Sequence, residues 1–558
     1  MNKTRYKFII FLIFLFFIVI VCKAFYIQII KHRFYIQQYS ALSKRLVYRI
    51  DKRGDILDAC GRTIATDYPV YDIFVDPKIY FDDLKQGKSD KKFLKFLEKR
   101  YGIKNLNNII STKKDRRYLV IKRNLSSDDV KFLKKNRIPA SFGFTKRYER
   151  YYPDGAISSH IVGFCDRYGV GIDGLELKYN GYLKGTHKRE MVGFDSFKTL
   201  KIPAPDAKYR LNTTLNEDVQ AFLHEKLADT VKEYKAKFGI ALVMNPNNGA
   251  IVAMDSTPYY DNNKYYSYKY KYIRNRALTD VFEPGSIFKL VAMSAALDSN
   301  KFNGSELINC GNGRWRIKNR VIHDAHRYKI LSFDNVFIKS SNIGSAKIAL
   351  QLGKKIFYEY LIRFGFGEKT GIDEPSESKG IVKDLFSIGD VDLANMAFGQ
   401  GISVTAIQMV RAYSVIANGG YRVKPYIVNN IKSNNKIVYS HKSKPVKILK
   451  SKTVDRVRNI LINVVKNGTG KRAYVDGYTV AGKTGTAQIP YKGKYGKNRY
   501  VASFVGFAPA RKPKFVVGVF IFDPKGKIYG GEVAAPLFAK ITTFLMHYYA
   551  IKGSEGSK

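Results

Sequence analysis

From Phe8 to Ile30 the chain is apolar at every position except Lys23 and Gln28. As an α-helix this run extends about 34 Å, enough to cross a hydrocarbon layer of about 30 Å. Lys23 stands late in the run, where its amine can snorkel to the interface. A cleaved signal peptide would have a shorter apolar core, and no convincing small-residue cleavage site follows Val21. The expectation is therefore an uncleaved single-pass anchor within residues 1–31. Lys3, Arg5 and Lys7 precede it, which predicts a cytoplasmic N-terminus and places the rest of the chain outside. Chemistry there has no ATP to draw on.

The exported part is long and basic. The chain has 558 residues, with Lys+Arg 96 against Asp+Glu 47, a net charge of +49. Such a charge can mark a nucleic-acid binder. Here the lysines are spread along the chain rather than gathered in a stripe, and the exported position argues further against nucleic acid as a partner. A hydrophobic fraction of 45% excludes wholesale disorder. Four cysteines without a CxxC pair exclude a zinc ribbon or a disulfide scaffold.

Composition and pattern divide the exported chain at Pro203 and Pro205. Residues 46–205 carry short apolar stretches and Gly-rich turns, with small surface helices expected at Lys91–Arg100 and Asp128–Asn136. Residues 206–550 read differently. An amphipathic helix is expected over Asp218–Lys232, and a hairpin from Gly239–Met244 and Ala250–Met254 around Asn245–Gly249. Two alternating strands, Tyr500–Phe507 and Phe515–Phe522, precede a helix from Val533 to about Tyr549. Strands at both ends of a helical middle predict one sheet assembled from distant sequence, an α/β (α+β) layered fold.

Three short motifs bear on chemistry. Ser286-Ile287-Phe288-Lys289 matches SxxK, but so do other stretches, among them those starting at Ser89, Ser376 and Ser433. Its context sets it apart, because Leu290–Leu297 reads as a buried helix with Ser286 at its first turn. Free N–H groups and the helix dipole favour developing negative charge there. Residues three apart share a helix face, so the Lys289 amine can reach the Ser286 hydroxyl. In a dry pocket that amine loses its proton and becomes a base. Ser340-Ser341-Asn342 opens a second small-residue helix, where the Ser340 hydroxyl can relay a proton and the Asn342 amide can hold a carbonyl. Lys483-Thr484-Gly485-Thr486 suits an edge strand that pairs with an extended peptide. Lys483 would face a carboxylate, and Gly485 would let a ligand approach closely. The look-alike Lys369-Thr370-Gly371 lies in a Gly-rich turn, and Ser433-Asn434-Asn435 reads as a hairpin tip.

In this order, the three motifs resemble the signature of penicillin-binding proteins and related β-lactamases. Flanking stretches agree: Asn275–Ser286, Phe398–Thr405, Ala417–Gly420 and Ala534–Phe538 resemble class B penicillin-binding proteins. Arg53–Asp58 and Gly171–Glu176 are similar to their N-terminal module. Thr279-Asp280-Val281-Phe282-Glu283-Pro284-Gly285 before Ser286, and Asn342 in the second motif, resemble the division-specific FtsI type more than the elongation type. Two departures, Asp58-Ala59-Cys60-Gly61 and Thr186-His187-Lys188, lie outside the three motifs.

The resemblance implies a serine transpeptidase domain over 206–550, with a central antiparallel sheet flanked by helices, behind an elongated non-catalytic pedestal over 46–205. It implies a peptidoglycan D,D-transpeptidase of septal wall synthesis. Ser286 would be the nucleophile, Lys289 the base and Ser340 a proton relay. Asn342, Lys483, Thr484, Gly485 and Thr486 would bind substrate. Partners would be stem peptides ending in D-Ala-D-Ala, amine acceptors, β-lactams, and glycan-polymerising and other division proteins. The location implied is the inner (cytoplasmic) membrane with a periplasmic catalytic domain. No cofactor is expected. His323 and His326 are the close histidine pair, and with no plausible third ligand they read as a loop rather than a metal site. An elongation-specific transpeptidase and a membrane-tethered carboxypeptidase or β-lactamase stay open as alternatives.

Overall fold

In the computed structural model the described residues are 3–35, 44–50, 52–87, 91–136, 138–185, 187–193, 209–490 and 498–553. Ser89 and the Pro203–Pro205 break lie outside them. The N-terminal helix Lys3–Phe25 continues into a wider turn, Tyr26–Ile30. Tyr6–Ile30 is long and apolar enough to cross a membrane, consistent with a single-pass anchor.

The chain forms two compact units. One comprises Met1–Lys52, Pro69–Tyr148 and Gly185–Asp206; the other Arg53–Tyr68, Glu149–Lys184 and Ala207–Lys558. In the first, helices Lys91–Tyr101 and Ser127–Lys135 occur where apolar periodicity predicts them. The second of these starts at a capping box, with Ser126 and Asp129 bonding each other's backbone N–H. Phe93, Leu97 and Leu133 bury their apolar faces with Ile73 and Val75.

In the second unit Arg53 and Glu176, drawn from two of the family-like stretches, meet as a buried ion pair at 2.6 Å. Arg150 bonds the other oxygen of the same carboxylate at 2.6 Å. Two cations on one buried carboxylate hold it ionised against the cost of burial.

The centre of this unit is a five-stranded antiparallel sheet. Its strands are β1 (Phe238–Met244), β2 (Ile251–Ser256), β3 (Ala481–Gln488), β4 (Tyr500–Ala508) and β5 (Phe515–Phe522), ordered β3-β4-β5-β1-β2. Two stretches far apart in sequence, 238–256 and 481–522, thus supply one sheet, with β3 at its edge. The strands differ from the expected alternation: every residue of β5 is buried. The reason is that both faces are covered. On one side Ala241, Val243, Phe504 and Val519 pack with α1 (Glu217–Glu233) and the C-terminal helix Gly530–Tyr548. On the other, Ile240, Leu242, Val505 and Phe520 pack with α2 (Lys289–Asp298) and the helix Ala406–Ala417. A strand between two dry layers reads as a continuous apolar run.

The turns behave as their residues dictate. Asn434 and Asn435 have φ of 48° and 62° in a two-residue hairpin turn between Val428–Ser433 and Lys436–Ser440. Thr370 of the Lys369 look-alike donates its hydroxyl to buried Glu377, holding a structural turn.

Candidate active site

Ser286 lies in a single 3-10 turn, Gly285–Phe288, that feeds α2. Backbone bonds hold the turn from outside. Gly285 N–H donates to Gly399 O at 3.1 Å, and Phe282 and Val404 exchange N–H···O bonds at 3.0 and 2.9 Å. Tyr413 donates its hydroxyl to Ile287 O at 2.9 Å. The Phe398–Thr405 stretch is therefore a strap across the approach to Ser286. At Gly399, φ is +81° and an added Cβ would meet Gly285 O at 2.2 Å, so two backbones cross where no side chain fits.

Lys289 begins α2 and is 1% exposed. Its Nζ lies 3.1 Å from Ser286 Oγ, 2.7 Å from Ser340 O, 3.1 Å from Ser340 Oγ and 2.9 Å from Asn342 Oδ1. Burial is the largest influence on this amine and pushes its pKa well below the ordinary lysine value. The charge of Lys483 pushes the same way, and Asp324 opposes both. Two of its neighbours, Ser340 O and Asn342 Oδ1, can only accept. A neutral amine has two N–H groups for them and one lone pair for a hydroxyl proton. The orientation of Asn342 follows from its own bonds, because its Nδ2 donates to His323 O at 3.0 Å and so turns Oδ1 to Lys289.

Ser340 adopts φ +61°, the left-handed region, which costs a non-glycine residue about 1–2 kcal/mol. That conformation puts its Oγ between two amines, Lys289 at 3.1 Å and Lys483 at 2.9 Å. Ser341 caps α3 (Asn342–Leu352), accepting from Gly344 N at 2.9 Å.

Lys483 is 2% exposed, and burial pushes its pKa down to about 7. In the ladder it pairs with Val505, so its side chain lies on the α2 side of the sheet. Thr484 and Thr486 pair with Phe504 and Ala502 and lie on the opposite side. Thr484 Oγ1 bonds Thr469 Oγ1 at 2.6 Å, and Thr486 Oγ1 accepts from Gly530 N at 3.1 Å. Gly485 requires a different explanation from the one expected. An added Cβ would meet Ser503 Oγ at 2.4 Å, with Ile287 Cγ2 and Pro284 O each at 3.1 Å. The glycine lets β3 pack against the Ser286 turn, rather than admitting a ligand.

All three motifs thus meet at one cleft of about 960 Å3, lined by Ser286, Ser340, Asn342, Thr484 and Thr486 among others. Lys289 and Lys483 lie beneath its wall. Asp324 is the residue that sequence reasoning passed over. Its carboxylate accepts from Ser341 Oγ at 2.6 Å, from Asn342 N, and from Ile343 N at 3.0 Å. A carboxylate at a helix N-terminus satisfies orphan N–H groups and the dipole together. The His323–His326 loop therefore anchors the second motif. The signal was faint, because nothing in a 17-residue separation ties Asp324 to Ser341.

A serine and a buried lysine one turn apart, bridged by a second serine to a lysine on an edge strand, define the acyl-serine class of penicillin-recognising enzymes. Residues 239–543 match the family described as penicillin binding protein transpeptidase domain, and residues 51–201 match penicillin-binding protein dimerisation domain. The chain belongs to the penicillin-binding protein transpeptidase family. It is 30% identical over 550 residues to the peptidoglycan D,D-transpeptidase FtsI of Buchnera aphidicola, covering 97% of this chain and 94% of that one. It is 34% identical over 517 residues to the stage V sporulation protein D of Bacillus subtilis, covering 88% and 77%. Among solved structures, penicillin binding protein 3 of Mycobacterium tuberculosis complexed with aztreonam matches with a TM-score of 0.71 at 25% identity. That match covers 91% of this chain and 98% of the other.

Proposed function

We propose that this chain is a peptidoglycan D,D-transpeptidase of the FtsI type, acting through an acyl-enzyme on Ser286. The observation that carries the reading is the Lys289 amine, dry and 3.1 Å from Ser286 Oγ, with both of its N–H groups already directed at oxygens that only accept.

Lys289 takes the Ser286 proton as Oγ attacks the carbonyl between two terminal D-alanines. The resulting oxyanion faces the backbone N–H groups of Ser286 and Thr486; losing one such donor costs about 10²–10³ in rate. When the C–N bond breaks, Ser340 relays the proton from Lys289 to the departing D-alanine amine. The side-chain amine of a second stem peptide then attacks the ester. Its proton passes to Lys289, a new amide forms, and Ser286 Oγ leaves and recovers a proton. Lys483 and the hydroxyls of Thr484 and Thr486 hold the substrate carboxylate. Asn342, which commits Nδ2 to His323 O through one N–H, offers the other to the peptide.

The same reading takes 1–31 as tail and anchor, 46–205 as a non-catalytic pedestal and 206–550 as the catalytic domain. The basic residues before the apolar run support a cytoplasmic N-terminus with catalysis outside the inner membrane. FtsI-named relatives support a septal role beside a glycan-polymerising partner. The test is labelling of the membrane-embedded full chain with a fluorescent penicillin, followed by peptide mapping. A stable adduct on the Ser286 peptide, absent in Ser286→Ala, is expected. Rapid turnover of the penicillin would make the chain a hydrolase, and labelling elsewhere would end the proposal.

A further inference from the structure

Between the first and second motifs the chain forms a hairpin, Arg314–Ile317 and Arg320–His323, turning at Lys318-Asn319. Its register sets Arg314 opposite His323, Trp315 opposite Ile322 and Arg316 opposite Val321. Successive side chains alternate between the two faces of a strand, and residues directly opposite share a face. Trp315, Ile317 and Ile322 turn inward and pack with Ile343 and Ala346 of α3, where Lys347 Nζ lies 5.1 Å over the Trp315 ring. Arg314, Arg316, Val321 and His323 make the outward face, and both arginines are exposed.

That outward face leads into the catalytic cleft. His323 and His326 line the cleft. Asn342 Nδ2 donates to His323 O at 3.0 Å, so the hairpin is joined to the wall that carries the second motif. Asp324 N–H donates to Gly313 O at 3.2 Å and folds the following loop back on the hairpin. A Cβ placed on Gly313 would meet Arg327 Cγ at 3.3 Å, so Arg327 stands next to the start of the Arg314 strand.

Charge on this surface is unbalanced. Residues 314–329 hold Arg314, Arg316, Lys318, Arg320, Arg327 and Lys329 against a single acid, Asp324. Asp324 is committed to Ser341 and the first N–H groups of α3, and Lys318 to Asp390 at 2.8 Å. The guanidinium groups of Arg314, Arg316 and Arg327 make no ion pair or hydrogen bond among the described residues. Elsewhere in the same unit Arg274, Arg276, Arg456 and Arg499 each hold a carboxylate. Three exposed forks gathered at one place repel each other, and each is free to take a carboxylate through two parallel bonds.

On the transpeptidase reading the donor peptide extends along β3, which leaves the wall with the hairpin to the second substrate. That substrate is a polyanion, because every stem peptide on an uncross-linked strand ends in a carboxylate. Resting on that reading, we propose that the outward face of the hairpin is an exosite for the acceptor strand. Arg314, Arg316 and Arg327 hold carboxylates of neighbouring stem peptides while one stem presents its amine to the acyl-enzyme on Ser286.

The full chain in detergent is first acylated with penicillin, which fills the donor side of the cleft. It is then titrated with fluorescent, uncross-linked glycan strands that keep their stem peptides. These should bind about tenfold more tightly than strands stripped of peptide by an amidase, or than polyglutamate of matched charge. The triple variant Arg314→Ser, Arg316→Ser, Arg327→Ser should bind the peptide-bearing strands about tenfold more weakly, the sum of three exposed charge contacts. Its binding should also depend less on salt, while its rate of penicillin acylation stays that of wild type. Undiminished binding by the triple variant would overturn the exosite. Equal binding of stripped strands would make the surface a sugar site, and equal binding of polyglutamate a dock for an acidic protein segment; either result ends the acceptor assignment. A wild type that forms no penicillin adduct would instead overturn the transpeptidase reading beneath it.

Discussion

Replacing Lys483 by methionine, which keeps the length and flexibility of the side chain, should make the catalytic unit more stable while crippling it. Burial lowers the Lys483 pKa from 10.5 in an unfolded chain to about 7. The unfolded state therefore binds this proton more tightly than the native state does, and folding bears a penalty. Below about pH 7 both states are protonated and the penalty is whole; as pH rises toward 10.5 it fades. At about 1.4 kcal/mol per pH unit the full penalty is roughly 5 kcal/mol. Methionine also forfeits the 2.9 Å bond to Ser340 Oγ, a loss of about 1–2 kcal/mol. The net expectation at pH 6.5 is a gain of roughly 2–3 kcal/mol, or several degrees in melting temperature. At pH 9.5 the wild-type penalty has shrunk to about 1.4 kcal/mol and the gain should vanish. The assay is calorimetric melting of full-length wild type and Lys483→Met at both pH values. A variant that melts lower than wild type at pH 6.5, or a gap that does not change with pH, refutes the reasoning. Penicillin acylation offers a second check: without the Lys483 charge the Lys289 pKa rises, and the acid limb of the rate profile should move to higher pH.

Asp324→Asn should move that limb the other way. Asp324 supports the protonated form of Lys289 against burial and Lys483, so its loss leaves more free amine at low pH. The maximal rate should nevertheless fall about tenfold as Ser341 and Asn342 lose an ionised acceptor, which a pH profile of penicillin acylation resolves. Gly399→Ala forces a Cβ to within 2.2 Å of Gly285 O at a φ of +81°. Displacing the Ser286 turn by even 1 Å should slow acylation about 10²-fold, measured by stopped-flow labelling, while Lys355→Ala, exposed on a helix that does not line the cleft, serves as a surface control.

Chemistry carried by contiguous residues could be read from the letters. Ser286 and Lys289 are one helical turn apart, so the helix alone brings hydroxyl and amine together. The apolar run before residue 31 and the caps and turns at Ser126, Ser341 and Asn434-Asn435 follow from local geometry as directly. Long-range pairing was not legible in the same way. Two dry layers turned the expected alternation of β5 into a strand buried throughout, because its burial depends on α1, α2 and the helix Ala406–Ala417 from far earlier in the chain as well as on the C-terminal helix that follows it. The reason for Gly485 likewise lay across the sheet, in Ser503 and the Ser286 turn.

What the chain's letters determined by themselves is therefore the set of reactive groups and the helices and strands that bear them. Tertiary structure alone decided that Ser340, strained into the left-handed region, stands between two buried lysines drawn from distant segments, with Asp324 holding its helix in place. The physical reason is that a lysine gives up its proton only when the whole fold has removed water from around it, and no stretch of sequence can specify that dryness locally.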